Sequence, residues 1–139
     1  MSVADNQTAK LWQTLMPRRS EISMVSGSDL YSVEIYPNTN FFREFSPVKE
    51  FQKWAAIPVT DLKGIPDGLK PLTISEGKYA KFHFKGSIQE APQAMQYIFG
   101  EWLPNSGYQL DDRPHFAVMG EKYSNTSPDS EEDFYIPIR

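Results

Sequence analysis

The sequence predicts an α+β fold in which one antiparallel sheet carries two helices on one face and a ligand groove on the other. Three observations point to this class. Several short segments alternate apolar and polar residues, as half-buried strands do, and two others space their apolar residues as amphipathic helices do. The two halves of the chain also repeat the same order of elements. At 139 residues, the chain has the length of a single domain, 1–139.

The first half predicts a helix followed by two strands. Apolar residues at helical spacing predict the helix over 6–23, which Pro17 should kink or end because proline lacks an amide hydrogen. Alternating residues predict strands at 30–36 and 51–59. The segment 38–48 between these strands is interpreted as a loop.

A segment rich in glycine and proline, residues 61–76, is interpreted as a linker between the halves. The second half then begins with a clearly alternating strand at 77–86. Ser87 and Glu90 have the spacing of a capping box, which predicts the start of a second helix. That helix should end near Pro104, where a turn follows.

The last part of the chain predicts two further strands. Residues 115–123 and 134–139 have strand-like patterns, and the acidic segment 124–133 between them is interpreted as a solvated loop. The order helix, strand, loop, strand thus occurs twice, and only the second copy begins with a strand. We infer two pseudo-symmetric β-α-β-β repeats, about 6–60 and 77–139, with the first strand of the first repeat missing or outside this chain.

The composition argues against several function classes. A net charge of −4 argues against a protein that binds nucleic acid through the phosphates, because such a protein needs clustered Lys and Arg. The chain has no cysteine, and His83 and His115 lie far apart, so we expect no metal site and no cofactor. No apolar run approaches the ~20 residues of a membrane helix, and the N-terminus does not have the pattern of a signal peptide. We therefore expect a cytoplasmic protein that binds neither membranes nor, directly, nucleic acid.

Aromatic residues make up 14% of the chain. Side chains alternate along a strand, so each strand has an aliphatic face, expected to meet the helices, and a second face. The second faces together carry Glu34, Tyr36, Trp54, Ala56, Tyr79, Ala117, Met119 and Tyr135. Rings with one acid suit a ligand groove, and a cationic guest in particular, because π faces and carboxylates both attract positive charge. The alternative is a half-wetted sheet face that binds nothing.

Two further aromatic residues, Trp102 and Tyr108, lie at the end of the second predicted helix and in the turn after it. We expect Tyr108 to reach the groove and Trp102 to lie in the groove or in the core. The candidate ligand-binding residues are therefore Glu34, Tyr36, Trp54, Tyr79, Trp102, Tyr108, Ala117, Met119 and Tyr135. The core is expected to contain the rings of Phe82, Phe116 and Phe134. No catalytic residue and no metal ligand is assigned.

Four ordered segments resemble one known family. They are 77–86 (GKYAKFHFKG), 97–108 (YIFGEWLPNSGY), 111–116 (DDRPHF) and 132–138 (EDFYIPI). In these segments, and over nearly the whole chain, the sequence is similar to the GyrI-like or AraC-type effector-binding domain, also called the SOUL/GyrI-like small-molecule-binding fold. The resemblance implies two β-α-β-β repeats with a ligand groove between them.

The resemblance also implies a range of functions. Members of the family bind small, often cationic and lipophilic compounds. Some are the sensor halves of AraC- or MerR-type transcription regulators, whereas others stand alone, including proteins that inhibit DNA gyrase. Some stand-alone members resemble hydrolases of cyclopropane-containing compounds, which use a glutamate in the groove. This chain has no room for a helix-turn-helix beside the sensor domain, so we expect no DNA-binding module of its own.

Two departures from the family pattern bear on function. The family leads us to expect a glutamate, the counter-charge for a cation and the acid of the hydrolases, where this chain has Ala117. Glu34 holds the equivalent place in the first repeat, and Glu121 has the same strand parity as Ala117, so either could supply a carboxylate. The absent first strand would leave a sheet edge unpaired, which favours dimerisation or a changed groove.

Together these observations predict a stand-alone module that binds a hydrophobic, drug-like and in particular cationic small molecule in an aromatic groove between the repeats. One alternative is a hydrolase of strained, cyclopropane-containing compounds, which the alanine at 117 disfavours. The other is a protein-interaction module of the gyrase-inhibitor type, with a protein partner.

Overall fold

The structure is a computed structural model that describes residues 1–43 and 46–139, so residues 44–45 of the predicted loop, with Phe45, lie outside it. The described residues form an α+β fold with one five-stranded antiparallel sheet, in the order β2-β1-β4-β5-β3. The strands are β1 (Leu30–Ile35), β2 (Gln52–Ala56), β3 (Tyr79–Lys85), β4 (His115–Met119) and β5 (Glu131–Pro137). The predicted fold class is confirmed.

The N-terminal helix changes character at the predicted proline. Helix α1 spans Thr8–Leu15 and continues as a 3₁₀ helix over Met16–Glu21. Pro17 lies at the start of the 3₁₀ segment and has no amide hydrogen to give the carbonyl four residues earlier. The predicted interruption at Pro17 is therefore confirmed.

The second helical region begins with the predicted capping box. The backbone N–H of Ser87 donates to Glu90 Oε2 at 2.8 Å, and the Ser87 side chain accepts from the Glu90 backbone. A 3₁₀ turn, Ile88–Glu90, leads into α2 (Ala91–Tyr97), a π-helical turn (Ile98–Trp102) and a short helix α3 (Leu103–Asn105). The π-helical turn directly precedes α3, where Pro104 has no amide hydrogen to donate and so interrupts the regular α-helical hydrogen-bond pattern.

The boundaries of the last two strands differ from the prediction. β4 ends at Met119, and β5 begins at Glu131, three residues before the expected start. The acidic residues at 131–133 therefore lie in a strand, whereas the sequence suggested a solvated loop. Seven-residue pairing of β5 with β3 offsets the low strand propensity of acidic residues.

The hydrophobic core lies on one side of the sheet, here called the helix face because α2 covers it. Its buried members are Ile98, Leu110, Ala117, Phe134 and Ile136. The rings of Phe82 and Phe84 and the small side chains of α2 pack against them. Phe82 and Phe134, which the sequence places in the core, are confirmed there.

The two halves of the chain meet through β1 and β4, which pair antiparallel in the middle of the sheet. β2 lies at one edge and has β1 as its only strand neighbour among the described residues. α1 packs against β2. Along the described chain, no helix is both long and apolar enough to cross a membrane.

We predict that Ile98→Ala lowers the free energy of unfolding by about 3 kcal/mol, because it leaves a cavity in a close-packed core. Ile98 is 1% exposed. The matched control is Ile88→Ala, at a position 53% exposed, which should change stability by about 0.5 kcal/mol or less. Urea denaturation followed by circular dichroism measures both variants, and equal effects would contradict this description of the core.

Candidate functional site

Pairing across the sheet divides the strand residues between two faces. Val33 in β1 lies opposite both Trp54 in β2 and Phe116 in β4. Phe116 in turn lies opposite Tyr135 in β5. Directly opposite residues of neighbouring strands project to the same side, so these four side chains form one row across the sheet. Ala117, the residue after Phe116, belongs to the core, and the row therefore lies on the side away from the helix face.

That second side is here called the aromatic face, after its half-buried rings Tyr31, Trp54, Tyr79, Phe116 and Tyr135. The Phe116 ring is central and stacks on Tyr135 with 4.6 Å between ring centres. The rings of Tyr31 and Tyr79 lie 5.8 Å and 5.3 Å from it. The prediction that Phe116 is a core ring is therefore wrong, since its face is the one that α2 leaves uncovered.

Two rings of the aromatic face already lie beside cations of the chain itself. The Arg113 guanidinium carbon is 4.5 Å from the ring centre of Tyr79. Arg113 is held there because its Nε donates to Asp111 Oδ2 at 2.8 Å. Lys81 Nζ lies 5.9 Å from the ring centre of Tyr135. Cation–π attraction at these two rings is thus supplied internally.

The sequence-predicted site residues do not share one face, so that part of the prediction is wrong. The aromatic face carries Trp54, Ala56, Tyr79 and Tyr135. The opposite side carries Glu34, Tyr36, Ala117 and Met119. Alternation within a strand identifies which residues share a side, but only the register between strands decides which side that is. The predicted grouping inverted β1 and β4 relative to the other strands.

Tyr36 lies in a buried aromatic cluster. Its ring centre is 4.8 Å from that of His115 and 4.6 Å from that of Phe41. Phe42 also meets Tyr36 and stacks on Phe99 in the π-helical turn at 3.9 Å. Burial raises the pKa of the Tyr36 hydroxyl well above its usual value and lowers the pKa of His115 to about 3. Both groups are therefore neutral over the physiological pH range and serve packing here.

Trp102 and Tyr108 form a separate pair near β3. Trp102 meets the core ring Phe82 edge-on, with 5.0 Å between ring centres. Its other side stacks loosely on Tyr108 at 6.4 Å, and Lys78 Nζ lies 5.3 Å from the Tyr108 ring centre. These contacts place Trp102 and Tyr108 on the helix side, away from the aromatic face.

A large cavity follows the edge of β2. Its volume is about 1090 Å³, and every residue from Phe51 to Val59 lines it. Successive strand residues point to opposite faces, so the cavity extends along the strand's edge and is not confined to one face. α1 contributes Leu11 and Leu15, and Tyr31 continues the wall onto the aromatic face.

The segment interpreted as a linker supplies the other wall of this cavity. Its apolar lining residues are Leu62, Ile65, Leu69, Leu72 and Ile74. Sequence reasoning missed them because glycine and proline dominated the interpretation of residues 61–76. The signal was present in five aliphatic residues spread through a segment that a solvated linker would leave polar.

The charged residues that line the cavity are all lysines: Lys10, Lys53 and Lys70. No Asp or Glu from the described part of the chain lines it. The protein carries a net charge of −4, so this cavity differs in charge from the molecule as a whole. A cavity with apolar walls and a few cations favours a guest that is neutral or anionic.

Lys53 lines the cavity, and its side chain is ion-paired with an acid on the helix face. Its Nζ donates to Glu34 Oε1, and the two side chains are only 11% and 22% exposed. Burial raises the pKa of the Glu34 carboxyl, and Lys53 partly offsets this rise. Burial and the neighbouring Glu34 carboxylate together raise the pKa of Glu132 to about 7. The acid that the sequence assigned to a ligand is thus bonded to a lysine of the chain.

His83 lies between two carboxylates on the exposed surface of β3 and β5. Its Nδ1 is 2.8 Å from Asp133 Oδ1 and its Nε2 is 2.8 Å from Glu131 Oε1. Both ring nitrogens must donate in this arrangement, which favours the imidazolium form of His83. The hydrogen bonds to Asp133, the larger effect, and to Glu131 raise the pKa of His83. Within the described residues, no cluster of His, Asp and Glu could hold a metal ion.

A family description of the GyrI-like small molecule binding domain matches residues 2–139, which is essentially the whole chain.

We predict that the stability of the Glu132→Gln variant, relative to that of the wild type, increases as the pH rises. The folded state keeps the Glu132 proton up to about pH 7, whereas the unfolded carboxyl loses it near 4.5. The native protein therefore holds more protons between these values, and its stability falls as the pH rises through this window. Relative to the wild type, the variant should gain about 2 kcal/mol between pH 5 and pH 8, measured by urea denaturation.

The neighbouring variant Glu131→Gln serves as its control. The hydrogen bond from His83 lowers the pKa of Glu131, so its ionised form stabilises the fold above pH 4.5. Glu131→Gln should therefore not gain stability as the pH rises. The same gain in both variants would contradict the assigned environment of Glu132.

We also predict that the two histidines titrate far apart. His83 should lose its proton above pH 6.5, because its carboxylate partners stabilise the imidazolium. His115 should stay neutral down to about pH 3, because burial disfavours its charged form. Two-dimensional NMR of the imidazole nitrogens across pH 3–9 measures both, and two ordinary titrations near pH 6.5 would contradict the structure.

Proposed function

Because the chain belongs to the GyrI-like small molecule binding domain family, as the sequence predicts, we propose that it binds a lipophilic small molecule in the cavity along β2. The observation that carries the proposal is a volume of about 1090 Å³ with a mainly aliphatic and aromatic lining. Small-molecule sites are usually clefts of roughly 300–1,000 Å³ with such walls and a few polar groups. The cavity is therefore large enough for a guest of drug size or for a longer amphiphile.

Trp54 and Tyr31 are the aromatic residues best placed to hold the guest. Both line the cavity, and both also belong to the aromatic face. A ring system that lies against them would bury a large apolar area while the polar atoms of Tyr and Trp remain near water. Among the nine residues that the sequence proposed for ligand binding, Trp54 is the one that lines this cavity.

The charge of the lining favours a neutral or anionic guest. Lys10 and Lys70 have no ion-pair partner among the described residues and line the cavity, whereas Lys53 is partly neutralised by Glu34. A cationic guest would meet three lysines here, and the rings of Tyr79 and Tyr135 already have cations beside them. The family's preference for cationic compounds is therefore not carried over to this cavity.

Binding is better supported than hydrolysis. General acid catalysis needs a group that donates a proton at the reacting bond, most often a carboxyl or an imidazole. The described lining contains neither, and Ala117, where the family pattern has glutamate, is 7% exposed and packed in the core. A carboxyl restored at 117 would enter the core on the opposite side of the sheet.

Fluorescence of Trp54 tests this proposal. The double variant Trp12→Phe/Trp102→Phe leaves Trp54 as the only indole, since the chain has three Trp residues. We expect an anionic naphthalenesulfonate dye to quench Trp54 saturably and to bind about tenfold more tightly than a cationic acridine dye of similar size. Absence of saturable quenching by either dye would overturn the proposed site.

Lysine variants separate charge from apolar contact. Lys10→Gln/Lys70→Gln should weaken binding of the anionic dye by about fivefold or more, because two positive charges are removed from the lining. The matched control is Lys81→Gln/Lys122→Gln, which removes two charges from side chains 57% and 76% exposed and outside the cavity lining. Equal effects of the two changes would show that general surface charge, and not the cavity, attracts the dye.

A further inference from the structure

The backbone along the outer edge of β2 is partly paired by the start of the chain. The Met1 amino group donates to the Phe51 carbonyl at 3.0 Å, and the Phe51 N–H donates to the Met1 carbonyl at 2.9 Å. This double hydrogen bond is one rung of an antiparallel ladder on the side of β2 away from β1. Phe51 therefore directs its backbone groups outward, towards the free edge.

Beyond that rung, the described residues give the same edge no strand partner. Backbone groups of alternate strand residues point to the same side, so Lys53 and Ala55 also direct their N–H and C=O groups outward. Trp54 and Ala56 alternate with these residues along β2 and therefore direct theirs to the neighbouring strand, β1. The hydrogen bonds of the described residues give Lys53 and Ala55 no outer backbone partner. Both residues line the cavity, into whose space these four groups open.

We propose that this edge binds an extended, acidic peptide segment of a partner protein, which adds as a strand beside β2. The segment would continue the ladder that Met1 begins and would satisfy the outward groups of Lys53 and Ala55. Main-chain pairing of this kind gives affinity, while flanking pockets select alternate side chains. The peptide site goes beyond the proposed small-molecule site, and it uses backbone groups that line the same cavity.

Two features of the cleft specify the occupant. Its length along β2, from Gln52 to Ala56, is about 17 Å at ~3.3 Å per residue, which suits a strand of about five residues. Its lining has no carboxylate among the described residues, and besides Lys53, which is paired with Glu34, it has Lys10 and Lys70, which are complementary to an acidic segment. The apolar walls from α1 and from residues 62–74 suit aliphatic side chains between the acids.

A second copy of the chain fits this edge less well. Its β2 would bring the same flanking walls and the same lysines, so that like charges would meet in a cleft of low polarity. A separate peptide carries neither the walls nor the positive charge. The proposal therefore commits to a partner segment, and self-association is treated as a contrary outcome of the test.

The test uses a seven-residue peptide of alternating valine and glutamate, acetylated and amidated at its ends, and two N-methylated isomers. One isomer carries methyl groups on the odd amides and the other on the even amides. A strand that pairs through one edge presents only one of these sets to β2. We expect one isomer to lose affinity at least tenfold and the other to stay within about threefold of the unmodified peptide, as measured by isothermal titration calorimetry.

Three results would overturn the proposal. They are no binding of the unmodified peptide, equal losses for the two isomers, and equal affinity for a peptide in which glutamine replaces every glutamate. A dimer in sedimentation that forms in competition with the peptide would assign the edge to a second copy and would also overturn it. The dye titrations test the small-molecule site independently. Dye binding without peptide binding would support the small-molecule site alone. Peptide binding without dye binding would support the peptide site alone.

Discussion

β1 and β4 pair antiparallel in the register that sets Val33 opposite Phe116, and this pairing joins the two halves of the sheet. Val33 is fully buried in the row it forms with Trp54 and Phe116. A shift of one residue would move these side chains to the helix face and would bring Glu34 out beside the rings. The core, the aromatic face and the side on which the candidate ligand residues of β1 and β4 lie therefore depend on this one register.

The sequence was informative wherever a feature has a local cause. The capping box of Ser87 and Glu90 and the interruption at Pro17 depend on groups a few residues apart, and both are found as predicted. The aromatic surface was predicted only in part, since Trp54, Tyr79 and Tyr135 share a face but Glu34 does not share it. The side on which a strand's residues lie depends on partners far away in the chain, and alternation within the strand carries no information about them.

The candidate site is a basic cavity in a protein whose net charge is negative. Lys53 belongs to both environments, because it lines the cavity while its ammonium group is bonded to Glu34. Burial and the nearby Glu34 carboxylate raise the pKa of Glu132 to about 7, so this side chain is about half neutral at that pH. Glu34, the acid expected to attract a cationic guest, is thus ion-paired within the protein, and Lys10 and Lys70 of the lining define the charge that a guest or partner meets.

The walls of the β2 cavity have a second consequence, for colloidal behaviour. An open sheet edge is a starting point for aggregation, and many proteins protect it with an outward-facing lysine. Here Lys53 is 11% exposed and turned towards Glu34, so its charge does not protect the edge. The edge is instead protected sterically, by α1 on one side and by the proline-containing segment 57–74 along the strand. Loosening of that segment would make the protein prone to form insoluble, sheet-rich assemblies even while its core remained folded.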